Sequence, residues 1–319
     1  MGFFVGLNFR SNGGRVKNNM KEKIIIDCDP GTDDALVIAM ALANSNLEIL
    51  GITTVAGNRD VDKCTINALK VLEYFKSTEI PVYKGLSKPI ARELFIPPST
   101  STHGVDGLGD SDFPFPKISY KEGAVEFIKE QIEKYPNEVN LFGIGPLSNI
   151  TKVFQTTNPS LIKKLYLMNG AFFVPGNASE FAEFNAFIDP EAADIVYKAN
   201  IPTKVVGLDV TNPVFISKEE FNRLKNYNSS AVKFFIKINE NSVSRKKKDT
   251  FSFFWDSILF SCFENPDLIQ SKLGKVTIEI QGEKVGMTKF YEGVGNIEVG
   301  TSINVPQFFD ILYKFFGIS

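Results

Sequence analysis

Four aspartates crowd into eight residues near the start of the chain, in Asp27-Cys28-Asp29-Pro30-Gly31-Thr32-Asp33-Asp34. Residues 23–26 (Lys-Ile-Ile-Ile) read as a buried strand leading in. Residues 35–43 read as a buried helix leading out, with Pro30-Gly31 at the turn between them. Asp27 and Asp29 lie two apart, so on a strand both point to one face. Thr32 or Asp33 suits the helix cap, and Asp33 and Asp34 suit its positive end. Those roles absorb one or two carboxylates, not four. The remaining negative charge, at the end of an apolar strand, calls for a cation. Every ligand atom on offer is an oxygen, which suits Ca2+ or Mg2+.

Two familiar acidic motifs do not fit. An EF-hand counted from Asp27 would put Thr32 at its glycine and Ile38 at its bidentate glutamate. A magnesium phosphohydrolase with Asp27 as nucleophile would want Asp-x-Asp-x-Thr, and Gly31 stands where that threonine belongs. Far along the chain, Trp255-Asp256 lies inside the aromatic run 251–263. The phenylalanines there read as core. An acid inside such a run needs a partner.

The elements that position these groups alternate. Strands are expected at 47–54, 80–83, 139–142, 164–168 and 203–207, and helices at 61–75 and 123–134 and from Asp189-Pro190-Glu191 onward. This order predicts an α/β fold: one doubly wound, mainly parallel sheet with helices on both faces. Ligands bind beyond the carboxyl ends of such strands. Asp29, Asn58, Ile144, Asn169 and Asp209 all fall at such ends. A long loop, 85–117, carries His103-Gly104-Val105-Asp106-Gly107-Leu108-Gly109 and has the length of a functional segment. The last third adds helices at 217–226, 230–241 and 305–316 and a strand at 275–280. The polar stretch 225–250 is expected to form a lid over the site.

The chain has 319 residues, 43% of them hydrophobic, with a formal net charge of −2. That balance gives no electrostatic case for nucleic acid, and Arg245-Lys246-Lys247-Lys248 reads as a solvated loop. No apolar run approaches a membrane span. Cys28, Cys64 and Cys262 lack pairing or zinc spacing, which suits a cytoplasmic protein. His103 is the single histidine. Residues 1–20 differ in character and read as a flexible leader with a second methionine at its end. Residues 21–319 then form one catalytic domain.

Several blocks, in order, resemble one family. Asp27 to Asp34 is similar to the amino-terminal signature of the inosine-uridine nucleoside hydrolases. Gly57-Asn58, His103-Gly104, Gly145-Pro146-Leu147-Ser148-Asn149, Glu183-Phe184-Asn185, Asp189-Pro190-Glu191-Ala192-Ala193 and Leu208-Asp209 resemble further family blocks. The likeness covers nearly the whole chain from residue 23. It implies hydrolysis of the N-glycosidic bond of ribonucleosides with a bound Ca2+, by a homo-oligomer, dimeric or tetrameric. Asp29, Asp34, Asp256 and the Ile144 carbonyl would hold the metal, and Asp29 would be general base on its water. Asp33, Asn177, Glu183 and Asn185 would hold ribose hydroxyls. Asn58 and Asn169 would line the pocket, with Asn169 standing where the family commonly has glycine.

The resemblance also carries a departure. The family's inosine-uridine enzymes have a histidine just before the last aspartate ligand, and Trp255 occupies that position here. Trp-Asp resembles the purine-specific branch, in which an aromatic ring stacks on the base and eases its protonation. Purine ribonucleosides are therefore the expected substrates, with Trp255 and His103 as the groups that assist the leaving base. A broad or pyrimidine preference is the nearest rival. The magnesium phosphohydrolase and a nucleoside binder without turnover follow it.

Overall fold

The computed structural model describes residues 21–96, 103–245 and 247–318. The expected leader, 1–20, lies outside them, as do Pro97 and Pro98 of the long loop and Lys246 of the basic run. In chain order the first half comprises β1 (Glu22–Cys28), α1 (Thr32–Ala43), β2 (Leu47–Thr54), α2 (Val61–Phe75), β3 (Val82–Lys84), β4 (Lys121–Glu122), α3 (Ala124–Lys134) and β5 (Val139–Gly143). There follow α4 (Ser148–Thr156), β6 (Lys164–Met168), α5 (Phe184–Ile188), α6 (Pro190–Lys198), β7 (Thr203–Val206), α7 (Leu208–Thr211) and β8 (Ile216–Ser217). The chain closes with α8 (Lys218–Leu224), α9 (Ser230–Arg245), β9 (Thr250–Phe251), α10 (Trp255–Glu264), β10 (Ile269–Ile278), β11 (Thr288–Glu292), β12 (Ile297–Ile303) and α11 (Val305–Phe316).

The main sheet has ten strands in the order β11-β10-β12-β7-β6-β5-β1-β2-β3-β4. All neighbours from β12 to β4 pair in parallel, and β10 is antiparallel to both β11 and β12. Alternation along β1 shows why helices cover both faces. Ile24, Ile26 and Cys28 enter one core, built with α1, α2, α9, α10 and α11. Ile25 enters the other, built with α3, α4 and α6. The expected doubly wound sheet with helical additions is thus the observed fold. Strands β2, β3 and β4 step outward on one side of β1, while β5, β6 and β7 step outward on the other. The topological switch point falls between β1 and β5.

Three local expectations change. β1 runs on through Asp27 and Cys28, so Asp29 lies past its end. The N-cap of α1 is Gly31, neither Thr32 nor Asp33; Asp34 Oδ2 accepts the Gly31 N–H at 2.9 Å. Segment 225–250 is mostly α9, which buries Val232, Phe234, Phe235 and Ile238 in the core, so it is a seated helix rather than a loose cover. Among the described residues no helix is long and apolar enough to cross a membrane.

Candidate active site

The two arms of the switch point frame the site. Asp29 follows β1, and Ile144 follows its neighbour β5, with the Ile144 N–H donating to the Asp27 carbonyl at 2.9 Å. The N-termini of α1 and α10 meet there, because these two helices pack together. Asp33 and Asp34 stand in the first turn of α1 and Asp256 in the first turn of α10. Their carboxylate oxygens come within 4.8 Å of one another, and all three residues are buried. Two positive helix ends therefore face one acidic cluster.

Asp29 is held from several sides. Its Oδ2 accepts the Asn58 N–H at 2.6 Å, and its own N–H donates to Asp34 Oδ1 at 3.2 Å. Asn58 Nδ2 donates to the Asp29 carbonyl at 3.2 Å and to Asp34 Oδ2 at 3.4 Å. Gly57 and Gly145 wall the carboxylate in: a Cβ on Gly57 would lie 2.2 Å from Asp29 Oδ2, and one on Gly145 2.7 Å from Oδ1. Gly57→Ala is expected to displace this carboxylate and lower kcat by roughly 100-fold, the scale for about 1 Å of misplacement at a reacting group. Steady-state kinetics beside a thermal melt checks this; unchanged kcat would mean that Asp29's position is not critical.

The charge state follows from burial. Desolvation, then the Asp34 and Asp33 charges, push the Asp29 carboxyl well above the usual carboxylate range. Burial and the charges of Asp33, Asp34 and Asp29 do the same to Asp256. Burial lifts Asp33 to about 6 and Asp34 to about 7. Asp29 Oδ1 and Asp33 Oδ1 accept no hydrogen bond among the described residues. Buried acids with oxygens to spare fit a hard divalent cation, which would supply the missing positive charge. The three carboxylates that gather are those of Asp33, Asp34 and Asp256; Asp29 adjoins them through its N–H bond to Asp34, and the Ile144 carbonyl accepts from Asn185 Nδ2.

Asp27 does not join that cluster. Its Oδ1 accepts from Thr53 Oγ1 at 2.5 Å and Asn149 Nδ2 at 2.8 Å, tying β1 to β2 and α4. A carboxylate that is 1% exposed and held this way is poorly placed as a phosphohydrolase nucleophile. Asp209 is also structural, since its two oxygens accept the Phe172 and Phe173 N–H groups at 2.9 and 2.7 Å.

The expected ribose side lies around α5, a short helix that sequence periodicity does not reveal. Glu183 caps it and accepts three backbone N–H groups, from Gly170, Asn185 and Ala186, at 2.9–3.1 Å. Burial raises its carboxyl above the ordinary value. Asn185 Nδ2 donates to the Ile144 and Met168 carbonyls, both at 3.1 Å, linking β5 to β6. Asn169 directly follows β6 and is fully buried, with Oδ1 accepting from the Tyr197 hydroxyl at 2.7 Å. Asn177 is exposed in the loop before α5, with its Oδ1 accepting the Phe184 N–H at 2.8 Å.

His103 and Trp255 flank the acids. His103 Nδ1 accepts the Thr32 N–H at 3.1 Å and lies 3.7 Å from Asp33 Oδ1. Accepting at Nδ1 places the ring proton on Nε2. Trp255 opens α10 partly buried and packs against the core, and among the described residues no aromatic ring pairs with its indole. Phe253, Phe254 and Phe260 beside it are core, as expected. Sequence reading missed Thr53, Arg59 and Asn67, and gave Asn149 no role beyond its block; these side chains hold other groups. Most of their partners come from distant segments, so spacing carries no signal of them.

The site is thus a mainly parallel α/β sheet whose switch point gathers three buried carboxylates able to hold a cation. The profile of the inosine-uridine preferring nucleoside hydrolases matches residues 24–310, and the chain belongs to that family. Uridine nucleosidase 1 of Arabidopsis thaliana is 36% identical over 281 residues, covering 86% of this chain and 83% of that protein. The pyrimidine-specific ribonucleoside hydrolase RihA of Shewanella oneidensis is 43% identical over 205 residues, 63% of this chain and 64% of its own. Among solved structures, the purine-preferring ribonucleoside hydrolase from Gardnerella vaginalis superposes with a TM-score of 0.85 at 27% identity, over 92% of this chain and 98% of that one. The plant nucleoside hydrolase PpNRh1 gives 0.85 at 26%, with the same coverage. The chain is a nucleoside hydrolase, acting on N-glycosyl bonds.

Proposed function

We propose that the protein hydrolyses purine ribonucleosides to ribose and free base with Ca2+ in the acidic cluster. The observation that carries the base assignment is Trp255, an unstacked, half-buried indole one residue ahead of Asp256. Asp29, Asp34, Asp256 and the Ile144 carbonyl are the metal ligands. Asp33, Asn177, Glu183 and Asn185 hold the sugar, with Asn58 and Asn169 lining the pocket. A bound Ca2+ would lower the pKa of a water and orient it.

Asp29 takes the proton of the attacking water as the water oxygen bonds to C1′. The C1′–N electron pair leaves with the base, whose nitrogen takes the Nε2 proton of His103. Trp255 stacks on the departing ring and eases its protonation. Asp33 and Glu183 stabilise the positive charge that builds on the sugar.

A second reading, uridine or other pyrimidine nucleosides, is favoured by the names and the identity, 36–43%, of the Arabidopsis and Shewanella relatives. Free-base release from inosine, adenosine, guanosine, uridine and cytidine, with and without a Ca2+ chelator, separates the two. Chelator-sensitive release from purines alone is the expected result. Trp255→Ala should then cost roughly tenfold or more in kcat/KM on inosine, within the worth of one base–aromatic stack at about 1–3 kcal/mol. Release from uridine at a rate matching inosine removes the purine assignment and leaves the chemistry.

A further inference from the structure

The loop that carries His103 is built as a bracket. Its own acids knit it: Asp106 Oδ1 accepts the Leu108 and Asp110 N–H groups at 2.8 Å, and Asp110 Oδ1 accepts the Val105 N–H at 2.6 Å. Gly109, in the left-handed region at φ +74°, lies so close to α9 that a Cβ would sit 1.9 Å from the Ile238 carbonyl oxygen. Asn241 Nδ2, from α9, donates to the Gly109 and Asp110 carbonyls at 3.0 and 2.8 Å. None of these contacts reaches the acidic cluster. Beyond His103's own bond to the Thr32 N–H, two buried side chains make that connection.

The first is Arg59, 3% exposed, which directly follows Asn58. Its Nη1 donates to the Asn58 carbonyl at 2.7 Å, its Nη2 to the Gly104 carbonyl, and its Nε to the Val105 carbonyl at 3.2 Å. One guanidinium thus joins the residue that holds Asp29 and Asp34 to the two residues that follow His103. The second is Asn67, 1% exposed, whose Nδ2 donates to the Pro30 carbonyl at 3.1 Å and the Asp106 carbonyl at 2.8 Å. It joins the acidic loop to the same bracket from the α2 side. A guanidinium offers donors in fixed, diverging directions, which an ammonium does not reproduce. Both junctions are made to backbone carbonyls, so they set the position of main chain rather than the charge of a partner.

We infer that Arg59 and Asn67 are positioning residues for the reaction: they hold the His103 imidazole in register with Asp29, so that base departure and water attack occur in one geometry. The inference rests on the proposed role of His103 as proton donor to the leaving base. Its chemistry gives a selective readout. A nucleoside base needs a proton as the C1′–N bond breaks. In p-nitrophenyl β-D-ribofuranoside the C1′–O bond breaks instead, and p-nitrophenolate leaves with the electron pair and needs no proton. Displacing the bracket should therefore slow nucleosides far more than the nitrophenyl riboside, whereas general damage to the site slows both.

The test compares kcat of the Arg59→Lys, Asn67→Ser and His103→Ala variants of the full chain, with Ca2+ present, on inosine, uridine and p-nitrophenyl riboside. For Arg59→Lys and Asn67→Ser the expected result is a fall of tenfold or more on the faster nucleoside and of less than threefold on the nitrophenyl riboside. The Arg59→Lys, His103→Ala double variant should be no slower than His103→Ala alone on nucleosides, because both changes remove one function. If His103→Ala shifts the substrate ratio while Arg59→Lys and Asn67→Ser lower both rates equally, the positioning role is overturned and the His103 role stands. If His103→Ala lowers both rates equally, the reading of His103 itself fails and takes the inference with it. Should Arg59→Lys not fold, Asn67→Ser decides alone, since it breaks a separate junction to the same loop.

Discussion

Asp29→Ala is expected to lose at least about 1,000-fold in kcat on any nucleoside the parent hydrolyses, since a positioned general base contributes roughly 100- to 10,000-fold and a metal ligand goes with it. Its effect on folding should run the other way. In the metal-free protein Asp29 is one of four buried acids, with Asp33, Asp34 and Asp256, that repel one another and lack enough donors. Deleting it removes a like charge from a desolvated cluster. The variant should therefore melt no lower than the parent in chelator, and lower than the parent in excess Ca2+. This crossing of two melting curves is not produced by a merely structural residue. Turnover within tenfold of the parent would end the assignment of Asp29 as base. A variant that melts lower under both conditions would mean that the residue holds the fold.

The second large effect is on pH and metal together. Folding lifts Asp33 from 3.8 to about 6 and Asp34 from 3.8 to about 7, chiefly by burial, and raises Asp29 and Asp256 well above the same starting value. The folded state then binds more protons than the unfolded chain between the two values. By linkage, stability is fully present below the unfolded pKa and is lost as pH rises through the folded one. Each such group contributes a slope of up to about 1.4 kcal/mol per pH unit. The chelated protein should accordingly melt lower at each step from pH 5 to pH 8. Excess Ca2+ should flatten most of that slope, because the cation supplies the charge that protons supplied at low pH. Asp27, also lifted to about 7 by burial, is held by Thr53 and Asn149 and adds a slope that the cation leaves in place. Scanning fluorimetry across that pH range, in chelator and in Ca2+, measures both terms. A chelated protein whose melting temperature rises with pH would show that the acids ionise freely in the fold, and the case for a cation would fall.

Much of this site is local, and what is local was legible in the sequence. Residues 27–34 lie between an apolar strand and an apolar helix, so their placement at the carboxyl end of β1 follows from chain connectivity. The ends of β2, β5 and β6 carry Asn58, Ile144 and Asn169 for the same reason. The doubly wound sheet followed from strand–helix alternation, because a parallel strand needs a crossover to return. Asp256 was marked by the cost of an acid in an apolar run, though nothing in the run says where its partners are.

Tertiary structure decided which of the acids act together. Asp27 and Asp29 look equivalent in the sequence. β1 continues through Asp27, so Thr53 and Asn149 from neighbouring elements hold its Oδ1, while Asp29 lies past the last rung, beside Asp34. α10 reaches α1 only through the shared core, and that packing places Asp256 beside Asp33 and Asp34. Glu183 reads as a ribose ligand but also caps α5, too short a helix to show periodicity. Segment 225–250 reads as a cover because its charges are frequent, yet its five buried apolar residues seat it. Arg59 and Asn67 read as ordinary polar residues, and only the fold brings the backbone carbonyls of residues 104–106 to them. The sequence determined the chemistry this chain can carry, because residue type and local order set charge and ligand atoms. The fold decided which groups carry it, because a buried carboxylate's role depends on which distant donors reach it first.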